Sequence, residues 1–272
     1  MAAVAVGIDV GLLAGRGLDL VALDVSRKVV HTARHLRDLD ELVRIVKELS
    51  PDVVCIDSPS QWTAQGRRRP AEQELTRRGI NLYSTPSEDR ASDFHSWMRD
   101  GFKVYGALAG PYPRYTGGEV RGKAAEYYPH ASAVALMGRI GVFADKAQIR
   151  RMLLAEHGVD TESLVGLDQV DAALGALTGL IALEGRHSWV GDGSDTLLLP
   201  VQVLAERYRR DESSARERTA SNPADKPTAS DPIRAACLCG CGNVPAGRRS
   251  RFMPGHDHRV NPATGRRWNG LP

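Results

Sequence analysis

The stretch VVCIDSPSQW, residues 53–62, restricts the fold more than any other part of the chain. Val53, Val54, Cys55 and Ile56 make a short apolar run bounded by turn residues, the pattern of a strand covered on both faces. Ser58 and Pro59 stop it, so Asp57 is delivered to the rim of a sheet, where the crevices of open α/β sheets form. An Asp ahead of Ser-Pro also caps turns, and for this residue alone that reading stays open. The first apolar run, AAVAVGIDV, ends in the same way near Asp9, flanked by Gly7 and Gly11, which keep side-chain bulk away from the carboxylate. If the two strands are parallel neighbours, both carboxylates come within reach of one cation, and two acids so placed repel unless a cation neutralises them.

The rest of the chain reads as one α/β domain followed by a tail. LDLVALDV and RKVVHTARHL alternate as strands, and DLDELVRIVKELS carries Leu39, Leu42, Val43, Val46 and Leu49 at helical spacing after an acidic first turn. RPAEQELTRRG is a short helix with Pro70 in its first turn and Gly79 as its stop, and SDFHSWMRDGFKVYGALAG is a second, interrupted helical region. EVRGKAAEYYP reads as a strand with Glu126 at its end. HASAVALMG and DKAQIRRMLLAEHG are helices. DQVDAALGALTGLIALEG is the strongest helix, with Val170, Leu174, Leu177 and Ile181 in one apolar stripe expected to meet the sheet. Asp168 and Asp171 lie three apart on one face, turned away from that stripe. Asp168 also suits a plain N-terminal role favouring the helix dipole, a reading that Asp171, one turn further in, fits less well.

The expected boundaries are a domain over residues 1–208, a linker over 209–235 that is polar and without periodicity, and a tail over 236–272. The net charge of +3 hides an asymmetry. From Cys237 onward six arginines face one acid, Asp257, giving +5 in the tail and −2 before it. A basic end of that kind favours a polyanionic partner, although Arg-rich ends also occur as plain solvated tails. Cys237, Cys239 and Cys241 crowd too closely for ordinary disulfides, and with His256 they make a tetrahedral Zn²⁺ set. The C-x-C-x-C spacing leaves room for His258 or Asp257 to replace one cysteine. The segment resembles short zinc-ribbon-like appendages. In that reading Arg248, Arg249 and Arg251 grip nucleic acid, and a protein partner is the alternative. No run approaches the length of about 18 apolar residues that spans a bilayer, and the N-terminus has no basic start, so a cytoplasmic protein without membrane contact is expected.

The order GIDVG, CIDSP, RRRPAEQELTRRGI, AEYYPHASAVALMG, DQVDAALGALTGLIALEG and GDGSDTLLLP resembles domain of unknown function 429, a family predicted to hold nucleases of the ribonuclease H fold. The resemblance runs from about residue 4 to about residue 200. It implies a five-stranded mixed sheet with helices on both faces. It also implies Asp9 as central metal ligand, Asp57 and Glu126 as second and third, and Asp171 as a helix-borne fourth with Asp168 beside it. The residues following Glu126 match the family pattern only loosely. The chemistry implied is phosphodiester hydrolysis by two Mg²⁺ or Mn²⁺ ions, for which oxygen donors suffice.

Other features have two readings each. Arg67, Arg68, Arg69, Arg77 and Arg78 suit a nucleic-acid backbone, but Glu72 and Glu74 interleave with them, as on a solvated, salt-bridged helix. Tyr112 and Tyr115 around Arg114 have a base-stacking composition, or else cover a core edge. Trp97 and Trp189 read as packing residues. Two other functional classes remain on the sequence: an actin-like ATPase or phosphotransferase, whose first strand also ends in Asp-Gly features, and a non-catalytic adaptor. The first would need a second phosphate-binding glycine turn, and no convincing one is present.

Overall fold

The computed structural model describes residues 4–64, 68–141 and 146–210. The alternating and apolar runs become β1 (Val4–Val10), β2 (Leu18–Asp24), β3 (Val29–Leu36), β4 (Val53–Asp57) and β5 (Lys123–Glu126). The amphipathic segments become α1 (Leu39–Leu49), α2 (Pro70–Arg77), α3 (Ser96–Leu108), α4 (Pro129–Met137), α5 (Lys146–Glu156) and α6 (Gly166–Leu183). Two short strands follow, β6 (Ser188–Gly191) and β7 (Thr196–Leu199). Among the described residues the strands form one sheet in the order β3-β2-β1-β4-β5-β7-β6. The first three strands are joined antiparallel, and β1, β4, β5 and β7 are mutually parallel.

The first five strands are the mixed sheet expected from the sequence, with helices on both faces, and the fold is α/β. The expected count of five is corrected to seven, because β6 and β7 extend the sheet beyond β5 as an antiparallel pair.

Period-2 alternation divides the sheet's two faces. Ala5, Val53, Cys55 and Ala125 point toward α6, while Val6, Ile8, Val54, Ile56 and Ala124 pack with residues of α1 and α3. Asp9 and Asp57 follow the first set, so they emerge on the α6 side. Helix α6 is buried from Gln169 to Ala182. Its 18 residues have the length and composition of a membrane span, which corrects the expectation that no such run exists, but here they form the core helix of a sheet. The surface that comes closest to the strands is not the Val170-Leu174-Leu177-Ile181 stripe but the small one, Ala172, Gly175, Ala176 and Gly179. A Cβ placed on Gly7 would stand 1.9 Å from the Ala172 carbonyl oxygen, and one on Gly179 would stand 2.8 Å from Val53 and 3.2 Å from Ala5. Gly7 meets the earlier part of the helix and Ala5 the later part, so α6 runs antiparallel to β1 and its N-terminal turns overlie the end of the strand.

The chain is still part of this unit at its last described residues: Tyr208 is buried, and the Arg209 carbonyl accepts from the Ile140 N–H. Cys237, Cys239, Cys241, His256, Arg248, Arg249 and Arg251 lie outside the described residues, as does Arg67.

Candidate functional site

Asp9 and Asp57 are register partners on the parallel strands β1 and β4, and side chains at one register position share a face. Helix α6 brings Asp171 and Asp168 toward them. The absence of a side chain at Gly7 is what allows this, since the helix backbone occupies the space a Cβ would fill. Gly7 therefore admits the helix rather than clearing the carboxylate, a correction to the sequence reading. Gly11 has the equivalent role in a turn, where a Cβ would stand 2.4 Å from the Gly17 carbonyl oxygen and 2.9 Å from Arg16 Nε. The Tyr127 hydroxyl donates to the Asp171 carbonyl at 2.8 Å, tying the helix to the strand end.

Crowding acids in a buried place raises their proton affinity. Burial, Asp171 and Asp168 together push Asp9 from 3.8 to about 7 despite the Arg16 guanidinium beside it. Burial raises Asp57 well above the carboxylate range, and Asp9 and Asp171 raise it further. Burial pushes Asp171 up to about 6, against the pull of Arg150. Two guanidinium groups partly balance these charges. Arg16 donates to Asp9 Oδ2 at 2.8 Å and is ion-paired with Asp168, while Arg150 Nη1 donates to both oxygens of Asp171. Among the described residues no three His, Cys, Asp or Glu side chains are already arranged to hold a metal ion. The positions next to the acids that a cation would take are shared with these two arginines.

Glu126 differs from the other three. Arg69 Nη1 and Nη2 donate to its two oxygens at 2.8 and 2.5 Å. The same guanidinium donates from Nε to Glu72 at 3.0 Å and lies 2.7 Å from Asp195. Glu72 also accepts from the Thr85 N–H and hydroxyl, and Asp195 from the Ala71 N–H. Burial pulls the Arg69 proton affinity down, but the three carboxylates outweigh it and the net shift is upward. Arg69 was open to two readings, a backbone grip or a solvated, salt-bridged helix; its salt bridge to Glu72 is present, but the pair is buried with Glu126 and Asp195 rather than solvated. Sequence reasoning missed Asp195 altogether. The local signal for the network was Glu72 three residues after Arg69 at the start of α2, its carboxylate accepting from the Arg69 N–H at 3.1 Å.

Of the other arginines, Arg68 bonds Thr76 and Arg78 pairs with Glu74. Tyr112 and Tyr115 are buried, their hydroxyls donating to the carbonyls of Pro51 and Gly118, so neither has a face free for a base. Trp189 stands edge-on to Tyr115 at 6.3 Å, as a packing residue does. Trp97 instead lines a cavity of about 830 Å³, whose wall also contains Asp57, Asp171, Glu126 and Arg150.

A family model described as "Protein of unknown function (DUF429)" matches residues 7–195. Two solved structures are similar: T. thermophilus RuvC in complex with Holliday junction substrate, and Thermus thermophilus RuvC without that description of a substrate. The first is 17% identical with a TM-score of 0.36, and the match covers 67% of this chain and 94% of that one. The second is 16% identical with a TM-score of 0.34, over 67% and 95%. No curated protein matches.

Proposed function

The chain belongs to this family of proteins of unknown function, and from the acids it gathers we propose that it is a divalent-metal-dependent nuclease hydrolysing phosphodiester bonds. The observation that carries the proposal is the placement of Asp9 and Asp57 as register partners at the ends of β1 and β4, with Asp171 of α6 close enough to act on both. Asp9 and Asp171 are buried and Asp57 is partly buried beside them, each above its ordinary value, so the cluster is held at a cost in the metal-free fold. A bound cation removes that cost.

The donor set fits the group. The oxygens of Asp9, Asp57 and Asp171 suit Mg²⁺ or Mn²⁺, hard cations that take oxygen donors. When bound, such ions supply charge that activates water and stabilises the departing 3′ oxygen. The chain's own contribution is placement. Strand register fixes Asp9 against Asp57, and the N-terminus of α6 holds Asp171 over them. The Arg69 cage engages both oxygens of Glu126, so Glu126 would join a cation only if Arg69 released it. Arg16 and Arg150 neutralise the acids until the cations arrive.

The tail extends the proposal: Cys237, Cys239, Cys241 and His256 bind Zn²⁺, and Arg248, Arg249 and Arg251 contact the nucleic-acid backbone in a cytoplasmic enzyme. The test is cleavage of single-stranded, hybrid and branched oligonucleotides with Mn²⁺ or Mg²⁺. Asp57→Asn should abolish cutting and Mn²⁺ binding by calorimetry. Cutting that survives Asp57→Asn refutes the assignment.

A further inference from the structure

We propose that the cavity beside Asp57 and Asp171 receives one unpaired nucleotide unit, its base against Tyr83, Tyr128 and Trp97 and its phosphate against Arg150 and Lys146. The inference rests on the nuclease reading and adds the substrate class to it.

The cavity, about 830 Å³, has the size of a pocket for a single small molecule. It has room to enclose one nucleotide unit, and a unit stacked in a duplex would have to leave the helix to enter. Its lining divides by chemistry. Asp57, Asp171, Arg150 and Lys146 make the charged part, and Tyr83, Tyr128, Trp97 and Pro129 supply flat apolar surface. The two parts are close, since the same cavity wall carries Tyr128 and Tyr83 beside Asp57 and Arg150, and the Tyr128 hydroxyl, raised first by burial, also feels the charges of Asp57 and Arg150.

Arg150 is suited to a phosphate. It is buried, and its Nη1 is the nitrogen engaged with Asp171, so among the described residues Nε and Nη2 make no hydrogen bond. A planar guanidinium can hold a carboxylate with one edge and a phosphate oxygen with another. Arg150 and Lys146 also hold the neighbouring His130 imidazole neutral, since burial and these two cations lower it to about 4. The positive charge of the pocket therefore comes from its arginines and lysine, of which Arg150 and Lys146 are the two that act on His130, while Arg69 is engaged with Glu126.

Tyr83 is the residue whose position the core does not explain. It is 69% exposed and stands edge-on to Phe94, itself 61% exposed, with ring centroids 5.8 Å apart. An aromatic side chain left open at the wall of a cavity is the surface on which single-stranded nucleic acid stacks.

The experiment uses the full chain with Ca²⁺ in place of Mn²⁺, at about 0.3 M salt, where backbone contacts of the tail contribute least. Binding of a labelled eight-nucleotide thymidine strand, a blunt DNA hairpin and adenosine monophosphate is compared between the parent, Tyr83→Ala and Tyr83→Phe. Removing one stacking ring should weaken the single strand about tenfold or more, with recovery in Tyr83→Phe and little change for the hairpin. Because Tyr83 is exposed, truncation leaves the core intact, and unchanged Mn²⁺ binding verifies this. If the strand binds more tightly than the mononucleotide, the unit belongs to a polymer. Equal affinities with the same Tyr83 dependence make free nucleotides the source. Single-strand binding unaffected by Tyr83→Ala, or an equal loss for the hairpin, overturns the inference while leaving the Asp57→Asn result to judge the nuclease reading independently. Tyr83-dependent binding without metal-dependent cutting would retain the pocket and remove the enzyme.

Discussion

Asp9→Asn should stabilise the metal-free protein, and more so as the pH rises. Asp9 moves from 3.8 to about 7 on folding, and burial comes first among the causes, followed by the charge of Asp171. The native carboxyl thus holds its proton more tightly than the unfolded one, so stability is greatest below pH 4 and falls as pH rises toward about 7, levelling off above that. At about 1.4 kcal/mol per pH unit, the full penalty is about 4 kcal/mol, of which about 2 to 3 kcal/mol develops between pH 5 and pH 8. His130 acts in the opposite direction. Lowered to about 4 by burial and by Arg150 and Lys146, it adds stability as pH rises through the range between 4 and its ordinary 6.5. The decisive quantity is therefore the difference between parent and Asp9→Asn, not the slope of either. Urea unfolding followed by circular dichroism in EDTA, at pH 5 and pH 8, gives that difference directly. Saturating Mn²⁺ should rescue the parent and not the variant. If the advantage of Asp9→Asn is equal at the two pH values, Asp9 is not the strained acid the burial and charges make it.

Three further outcomes follow from contacts in the structure. Gly7→Ala puts a methyl group 1.9 Å from the Ala172 carbonyl oxygen and should cost about 3 kcal/mol or more by displacing α6, read as a lowered thermal midpoint with weaker Mn²⁺ binding. Arg69→Met leaves Glu72, Glu126 and Asp195 buried without their shared cation and should cost about 3 to 5 kcal/mol, as measured by urea unfolding at pH 8. Arg16→Gln removes a cation that pairs with both Asp9 and Asp168, so Mn²⁺ should bind more tightly by calorimetry, and weaker binding would show that Arg16 supports the site instead.

What was legible in the sequence was local. Asp9 and Asp57 could be placed because each ends an apolar run, and a strand's period of two then fixes which face receives its last side chain. Strands β6 and β7 were missed because four residues each, joined by a Gly- and Asp-rich turn, carry too little pattern to separate from a loop. The stripe on α6 was misread for a different reason: hydrophobicity picks out leucines and valines, whereas closeness to a sheet is set by the residues with least side chain.

The division among the acids was the least legible feature, because it depends on cations far away in the chain. Glu126 and its partner Arg69 are 57 residues apart, and Asp195 is 124 from the Ala71 amide it accepts. Sequence alone made Glu126 and Asp57 equivalent, two carboxylates at neighbouring strand ends. In the structure one has a guanidinium across both oxygens, and the other has only like charges as its nearest strong influences, with Arg150 acting more weakly. Arg69 opposes the rise in proton affinity that burial gives Glu126. Asp57, partly buried, has no guanidinium hydrogen-bonded to it among the described residues and so keeps its proton or acquires a cation, and that difference makes Asp57 the better place to look for metal.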